Sequence, residues 1–222
     1  MAKRFLVLGA NRGIGLELVR LLRARGDEVT AACRRSSAEL DALAGVSVKT
    51  DIDVRSMSSL EALATELGTG SLDGLIVVAG ILRGTSLASL DVDVIREQLE
   101  VNAIGPLQAT AALRGCLAKG ATVGLVTSRM GSIADNTSGG SYGYRMSKAA
   151  LNMAGRSLAH DLKGDSIAVV LLHPGFVRTE MTGGNGHLNA DESATGLLAR
   201  IDETTLATTG RFVHQSGEEL PW

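Results

Sequence analysis

Apolar and polar positions alternate in two rhythms along this chain. Phe5-Leu6-Val7-Leu8 is a short continuous apolar run and predicts a buried strand. Leu16, Leu18, Val19, Leu21 and Leu22 then recur at helical spacing, and Gly26 is placed to end that helix. Further strands are predicted at Val29 to Cys33, Val46 to Ile52, Leu72 to Ala79, Thr122 to Thr127 and Ile167 to Leu172. Long helices are predicted from about Val92 to Leu117 and from about Tyr144 to Leu162, with a late helix and last strand within Thr204 to Phe212. Leu75-Ile76-Val77-Val78 suits a strand covered on both faces. Repeated strand–helix–strand units predict an α/β protein: a single-domain Rossmann fold over residues 1–222, with a doubly wound parallel sheet and helices on both faces. The stretch Thr182 to Asn189, rich in Gly and Asn, is expected to be a mobile surface loop.

Composition narrows the functions available. Of the 222 residues 45% are hydrophobic and 21% charged, and the net charge of −2 gives no electrostatic reason to bind nucleic acid or an anionic membrane. No run approaches the roughly 20 apolar residues that span a bilayer. Cys33 and Cys116 are too few for a disulfide framework and point to a reducing, cytoplasmic setting. The four histidines lack ligand spacing, so no metal is expected, and His173 is assigned a structural place at a strand end.

Gly9-Ala10-Asn11-Arg12-Gly13-Ile14-Gly15 lies between the first strand and the first helix. Glycines there let the backbone turn tightly and come close to a pyrophosphate, which then meets the positive end of the helix. After strand two, an acidic residue would accept from the ribose hydroxyl of NAD, but this chain has Cys33-Arg34-Arg35. A guanidinium grips a 2′-phosphate, so Arg34, aided by Arg12, favours NADP(H) over NAD. Asp53 is placed to cap a helix starting near Ser56.

Tyr144 and Lys148 stand four apart and share one helix face. A phenol titrates near 10, too high for a base at neutrality; a nearby ammonium and a positive nicotinamide ring would favour the phenolate. Ser128, at the end of the preceding strand, offers a hydroxyl for an oxygen gaining charge.

The spacing Gly-x-x-x-Gly-x-Gly, the Tyr144–Lys148 pair and the Ser128 motif together resemble the short-chain dehydrogenase/reductase superfamily. The extended segment from Ser128 to Tyr144 and the tail Gly217 to Trp222 are similar to its C-factor and Sniffer-type carbonyl reductase branch. This resemblance implies NADP(H)-dependent interconversion of a carbonyl and an alcohol. Tyr144 would be the acid/base, with Lys148, Ser128 and Asn102 completing the catalytic set and Asn102 holding a water. It also implies cofactor contacts from Asp53-Val54, from Ala79 and Gly80 after strand four, and from Pro174, Gly175, Val177 and Thr179. Relatives pair through the two long helices, which implies a homodimer or homotetramer, with Leu151, Ala154 and Leu158 as candidate lining. Where the family has Asn-Asn-Ala-Gly, this chain has Val77-Val78-Ala79-Gly80, so an amide that ties the central strands is absent. That departure keeps open a different class of function, a catalytically weak dinucleotide sensor or signalling protein on the same fold.

Overall fold

The computed structural model describes residues 2–222. Seven parallel strands form one sheet in the order β3-β2-β1-β4-β5-β6-β7. The strands are β1 (Arg4–Leu8), β2 (Glu28–Ala32), β3 (Val46–Lys49), β4 (Leu72–Val77), β5 (Leu117–Val126), β6 (Ala168–His173) and β7 (Arg211–His214). The chain order reverses between β1 and β4, and in such sheets ligands bind beyond the strands' carboxyl ends at that point.

Alternate residues of one strand supply two separate cores. Leu6 and Leu8 of β1 pack with Leu75, Val77, Val123 and Leu125 under α3 (Met57–Leu67), α5 (Gly105–Leu113) and α6 (Tyr142–Asp161). Phe5 and Val7 face the other way, with Ile76 and Val170, under α1 (Gly13–Ala24), the short α2 (Ala38–Asp41) and α7 (Ala190–Glu203). Burial on both faces explains why these strands read as unbroken apolar runs.

Three expectations need correction. The segment expected as one helix from Val92 to Leu117 is helical throughout to Cys116 but not regular: α4 (Val92–Leu99) passes into a π-helical turn, Glu100–Ile104, before α5, and a 3-10 turn follows. Pro106 lacks the amide that a regular ladder needs there, and a side chain at Gly105 would put its Cβ 2.7 Å from Val54 Cγ2. The chain then leaves α5 early, and β5 begins at Leu117. The late helix is not in Thr204 to Phe212; it is α7, closed at its start by Asn189, whose backbone amide donates to Glu192 Oε2 at 2.7 Å. Leu151 and Leu158 do not line a partner surface, because both are buried against the sheet.

Thr182 to Asn189 is held by main-chain bonds: His187 N donates to Phe176 O at 2.7 Å and Arg178 N to Leu188 O at 2.9 Å. Without the family's asparagine, β4 and β5 still pair from Gly74↔Thr122 to Val77↔Leu125. Among the described residues no helix is long and apolar enough to cross a membrane.

Candidate active site

The site forms where β1, β4, β5 and β6 end. Gly9 has φ +90°, and a Cβ there would lie 2.7 Å from Ala79 N, so the turn after β1 and the end of β4 touch through bare backbone. At Gly15 a Cβ would fall 2.1 Å from the Gly9 carbonyl oxygen. The first turn of α1 has neither a side-chain cap nor an acidic residue. Its free amides therefore face the glycine turn with their positive end uncompensated. Asn11 gives its carbonyl to Ser37 Oγ at 2.7 Å, and Ile14 packs on the core below. The cradle fits a pyrophosphate. Gly15→Ala is expected to destabilise the protein by about 1–3 kcal/mol and to weaken dinucleotide binding, as read by thermal melting with and without nucleotide.

Beyond β2, Arg34 and Arg35 are exposed, and the charge of Arg34 reaches Asp53. Arg55, through hydrogen bonds with its guanidinium and its backbone amide, holds the Asp53 carboxyl below the usual range. Asp53 is not a helix cap: Ser56 begins α3, its side chain accepting from Ser59 N at 3.2 Å. Val54 commits its side chain to the core. Arg12 pairs with Glu180, a partner that no sequence signal announced.

The chemical groups gather around α6. Thr127, leaving β5, donates to Asn152 Oδ1 at 2.7 Å and to the Lys148 carbonyl at 3.3 Å, which fastens α6 to the strand end. Lys148 is buried, and its Nζ donates to Val126 O at 2.9 Å and lies 5.8 Å from the centre of the Tyr144 ring. Burial pushes the ammonium down to about 8. Burial pushes the Tyr144 phenol up, opposed by a hydrogen bond with the Ser128 hydroxyl. Desolvation is the larger of these two influences on the phenol. A phenol held protonated is suited to give a proton.

Asn102 is fully buried at the π turn. Its amide accepts from Ile81 N at 2.7 Å and donates to Ile81 O at 2.8 Å and to Ser147 Oγ at 3.0 Å. Ser147 in turn donates to Tyr144 O at 2.8 Å. Asn102 thus links the segment after β4 to the first turn of α6. Gly80 sits between them; a Cβ there would be 3.2 Å from Asn102 Oδ1 and 3.6 Å from Lys148 Nζ. Ser147, Asn152 and the buried Gln98, polar residues on helices, and Thr127 at a strand end were not singled out from sequence, since none carries a periodic mark. The turn after β6 covers the cradle: Pro174 O accepts from Ser193 Oγ at 2.7 Å, Gly175 has φ +86°, Val177 is buried, and Thr179 Cγ2 lies 3.5 Å from where a Gly13 Cβ would stand. Among the described residues no group of three or more His, Cys, Asp or Glu side chains is placed to hold a metal ion.

The family model for short chain dehydrogenases matches residues 3–189. The chain belongs to the short chain dehydrogenase family. Among relatives of this short chain dehydrogenase, a 1-hydroxy-2-glutathionyl-2-methyl-3-butene dehydrogenase of Rhodococcus sp. (strain AD45) is 46% identical over 223 residues, covering 98% of each chain. The C-signal protein of Myxococcus xanthus is 47% identical over 167 residues, 73% of this chain and 100% of its own. Carbonyl reductase Sniffer of D. melanogaster superposes with a TM-score of 0.92 at 28% identity, covering 100% of both chains. An NADPH-bound carbonyl reductase from chicken fatty liver gives 0.91 at 30% identity, covering 100% of this chain and 99% of the other.

Proposed function

We propose that this oxidoreductase reduces an aldehyde or ketone with NADPH, and runs the same step backwards on the corresponding alcohol. One observation carries the reading: the Tyr144 phenol, the Lys148 amine and the Ser128 hydroxyl converge beside a glycine cradle that fits a dinucleotide. Bound there, NADPH supplies the hydride that reaches the carbonyl carbon. Tyr144 gives its phenolic proton to the carbonyl oxygen, which its raised pKa keeps available at neutral pH. Ser128 donates to the same oxygen as negative charge grows on it. Lys148 would hold the nicotinamide ribose and would return positive potential to the phenolate left behind. Asn102 fixes Ile81 and, through Ser147, the turn carrying Tyr144.

The glycine turn, Ala79, Gly80 and the 174–179 turn hold the nucleotide, and Arg34 grips the 2′-phosphate. Arg34→Asp is expected to weaken NADP(H) binding about a hundredfold while NAD(H) changes little, as measured by titration calorimetry. Equal losses for both nucleotides would remove the phosphate role.

The likeness to C-signal favours one second reading, a nucleotide-binding signalling protein with little turnover. NADPH binding with no oxidation on any carbonyl of a broad panel supports that reading. We also propose a homodimer or homotetramer built on α6, which leaves Met146 49% and Met153 68% exposed, with Ile104 and Leu107 open beside it.

A further inference from the structure

The chain's last twelve residues form a hairpin that reaches back to the segment after β5. His214 N donates to Glu218 O at 2.8 Å and Leu220 N to Phe212 O at 2.8 Å, so residues 218–220 fold against β7. Leu220 is buried with Phe212 and Leu171, and the Trp222 ring lies on Phe212 with 5.6 Å between centres. Two bonds then cross to the segment after Ser128. Glu218 Oε1 accepts from Arg129 Nη2 at 2.6 Å, and the main-chain carbonyl of Trp222 accepts from Ala134 N at 2.9 Å.

Arg129 is the residue next to Ser128. Its guanidinium also pairs with Asp135 at 3.1 Å, so one side chain joins both ends of the 129–135 segment to the hairpin. Within that segment, Met130 N donates to Ser128 Oγ at 3.2 Å and Gly131 N to Ser128 O at 2.8 Å. The orientation of the Ser128 hydroxyl therefore depends on the turn Arg129–Gly131. That turn is fixed on its inner side by Gly131, where a Cβ would lie 2.6 Å from the Lys148 carbonyl carbon. On its outer side Arg129 and the hairpin hold it.

We infer that the 211–222 hairpin is a brace for the serine turn, and that Arg129 and Glu218 are positioning residues that aim the Ser128 hydroxyl at the substrate oxygen. The inference rests on the reductase reading for its catalytic consequence, though not for its structural one. Arg129 and Glu218 are both partly exposed, 42% and 55%, and such pairs contribute little to overall stability. Their effect lies in geometry, where small displacements of a hydrogen-bond donor are costly to the reaction.

The test is Glu218→Gln, alone and combined with Ser128→Ala. The single substitution is expected to lower kcat/KM for an aromatic aldehyde about fivefold, with the NADPH Kd unchanged within about twofold. On a Ser128→Ala background it is expected to cost nothing further, because the hydroxyl it positions is gone. Hydrogen exchange at the amides of residues 130–134 is expected to quicken, with α6 unaffected. Losses that add fully in the double variant, or unaltered exchange over 130–134, would overturn the brace. Should no carbonyl of a broad panel lead the wild-type protein to oxidise NADPH, the reductase reading fails by itself, and the exchange measurement still decides the brace.

Discussion

Tyr144→Phe is expected to cut carbonyl reduction by about a thousandfold while leaving NADPH affinity within about twofold of wild type. The substitution removes one oxygen and keeps the ring. The aromatic contact with Lys148, whose Nζ is 5.8 Å from the ring centre, survives. What would be lost is the proton given to the substrate oxygen, for which water is a poor replacement. Stability should change little, since the Ser128 hydroxyl keeps its hydrogen bond from Met130 N when the phenolic oxygen is removed. Stopped-flow measurement of NADPH oxidation with an aromatic aldehyde, paired with equilibrium titration of the nucleotide, separates the two quantities. A loss of affinity as large as the loss of rate would mean that the phenol holds the nucleotide instead of delivering a proton.

Lys148→Met is expected to inactivate and stabilise at once. Folding carries this amine from its ordinary value of 10.5 to about 8, wholly through burial. At neutral pH the folded protein therefore holds a desolvated charge at a cost of roughly 3 kcal/mol. Methionine fills similar volume without that charge. The Val126 carbonyl loses a donor, an offset of about 1 kcal/mol, so a net gain of about 2 kcal/mol and a rise of about 5 °C in melting temperature at pH 7 are expected. Activity is expected to fall about a hundredfold. The sign of the pH dependence follows from the same shift. Between about 8 and 10.5 the unfolded chain binds more protons than the folded one, so wild-type stability rises with pH across that window. The gain is fully present above 10.5 and is lost as pH falls through about 8. The methionine variant should lack this rise; melting curves from pH 7 to pH 10.5 on both proteins measure it.

Much of the fold was readable because both faces of the sheet are covered. Leu6 and Val7 point to opposite cores and both are apolar, so β1 is an unbroken run. The glycine turn was readable because sterics admit no alternative at Gly9 and Gly15. The π turn was not, since the close approach of Gly105 and Val54 beside it joins residues 51 apart in sequence. Helix α7 was misplaced although its signals were present: an Asn189–Glu192 cap, then Ala194, Leu197, Leu198 and Ile201 at helical spacing. Gly183, Gly184 and Gly186 just before it signal a loop and mask its start.

In the site, residues identified by motif lie together, while those that orient them had no local signature. Asn102 reaches Tyr144 through Ser147, and Ser128 reaches the hairpin through Arg129. The burial that acts on the Tyr144 phenol was also out of reach, because it is set by how much water the folded site excludes, and a spacing of four residues says nothing about that.

The most direct test is transfer of a label. NADPH carrying deuterium at the reactive nicotinamide carbon is incubated with the wild-type protein and an aromatic aldehyde, and the alcohol is analysed by mass spectrometry. Deuterium on the carbinol carbon, absent with Tyr144→Phe, is the expected result. Tight NADPH binding with no deuterated alcohol from any aldehyde or ketone in a broad panel would contradict hydride transfer and leave a nucleotide-binding protein without this chemistry.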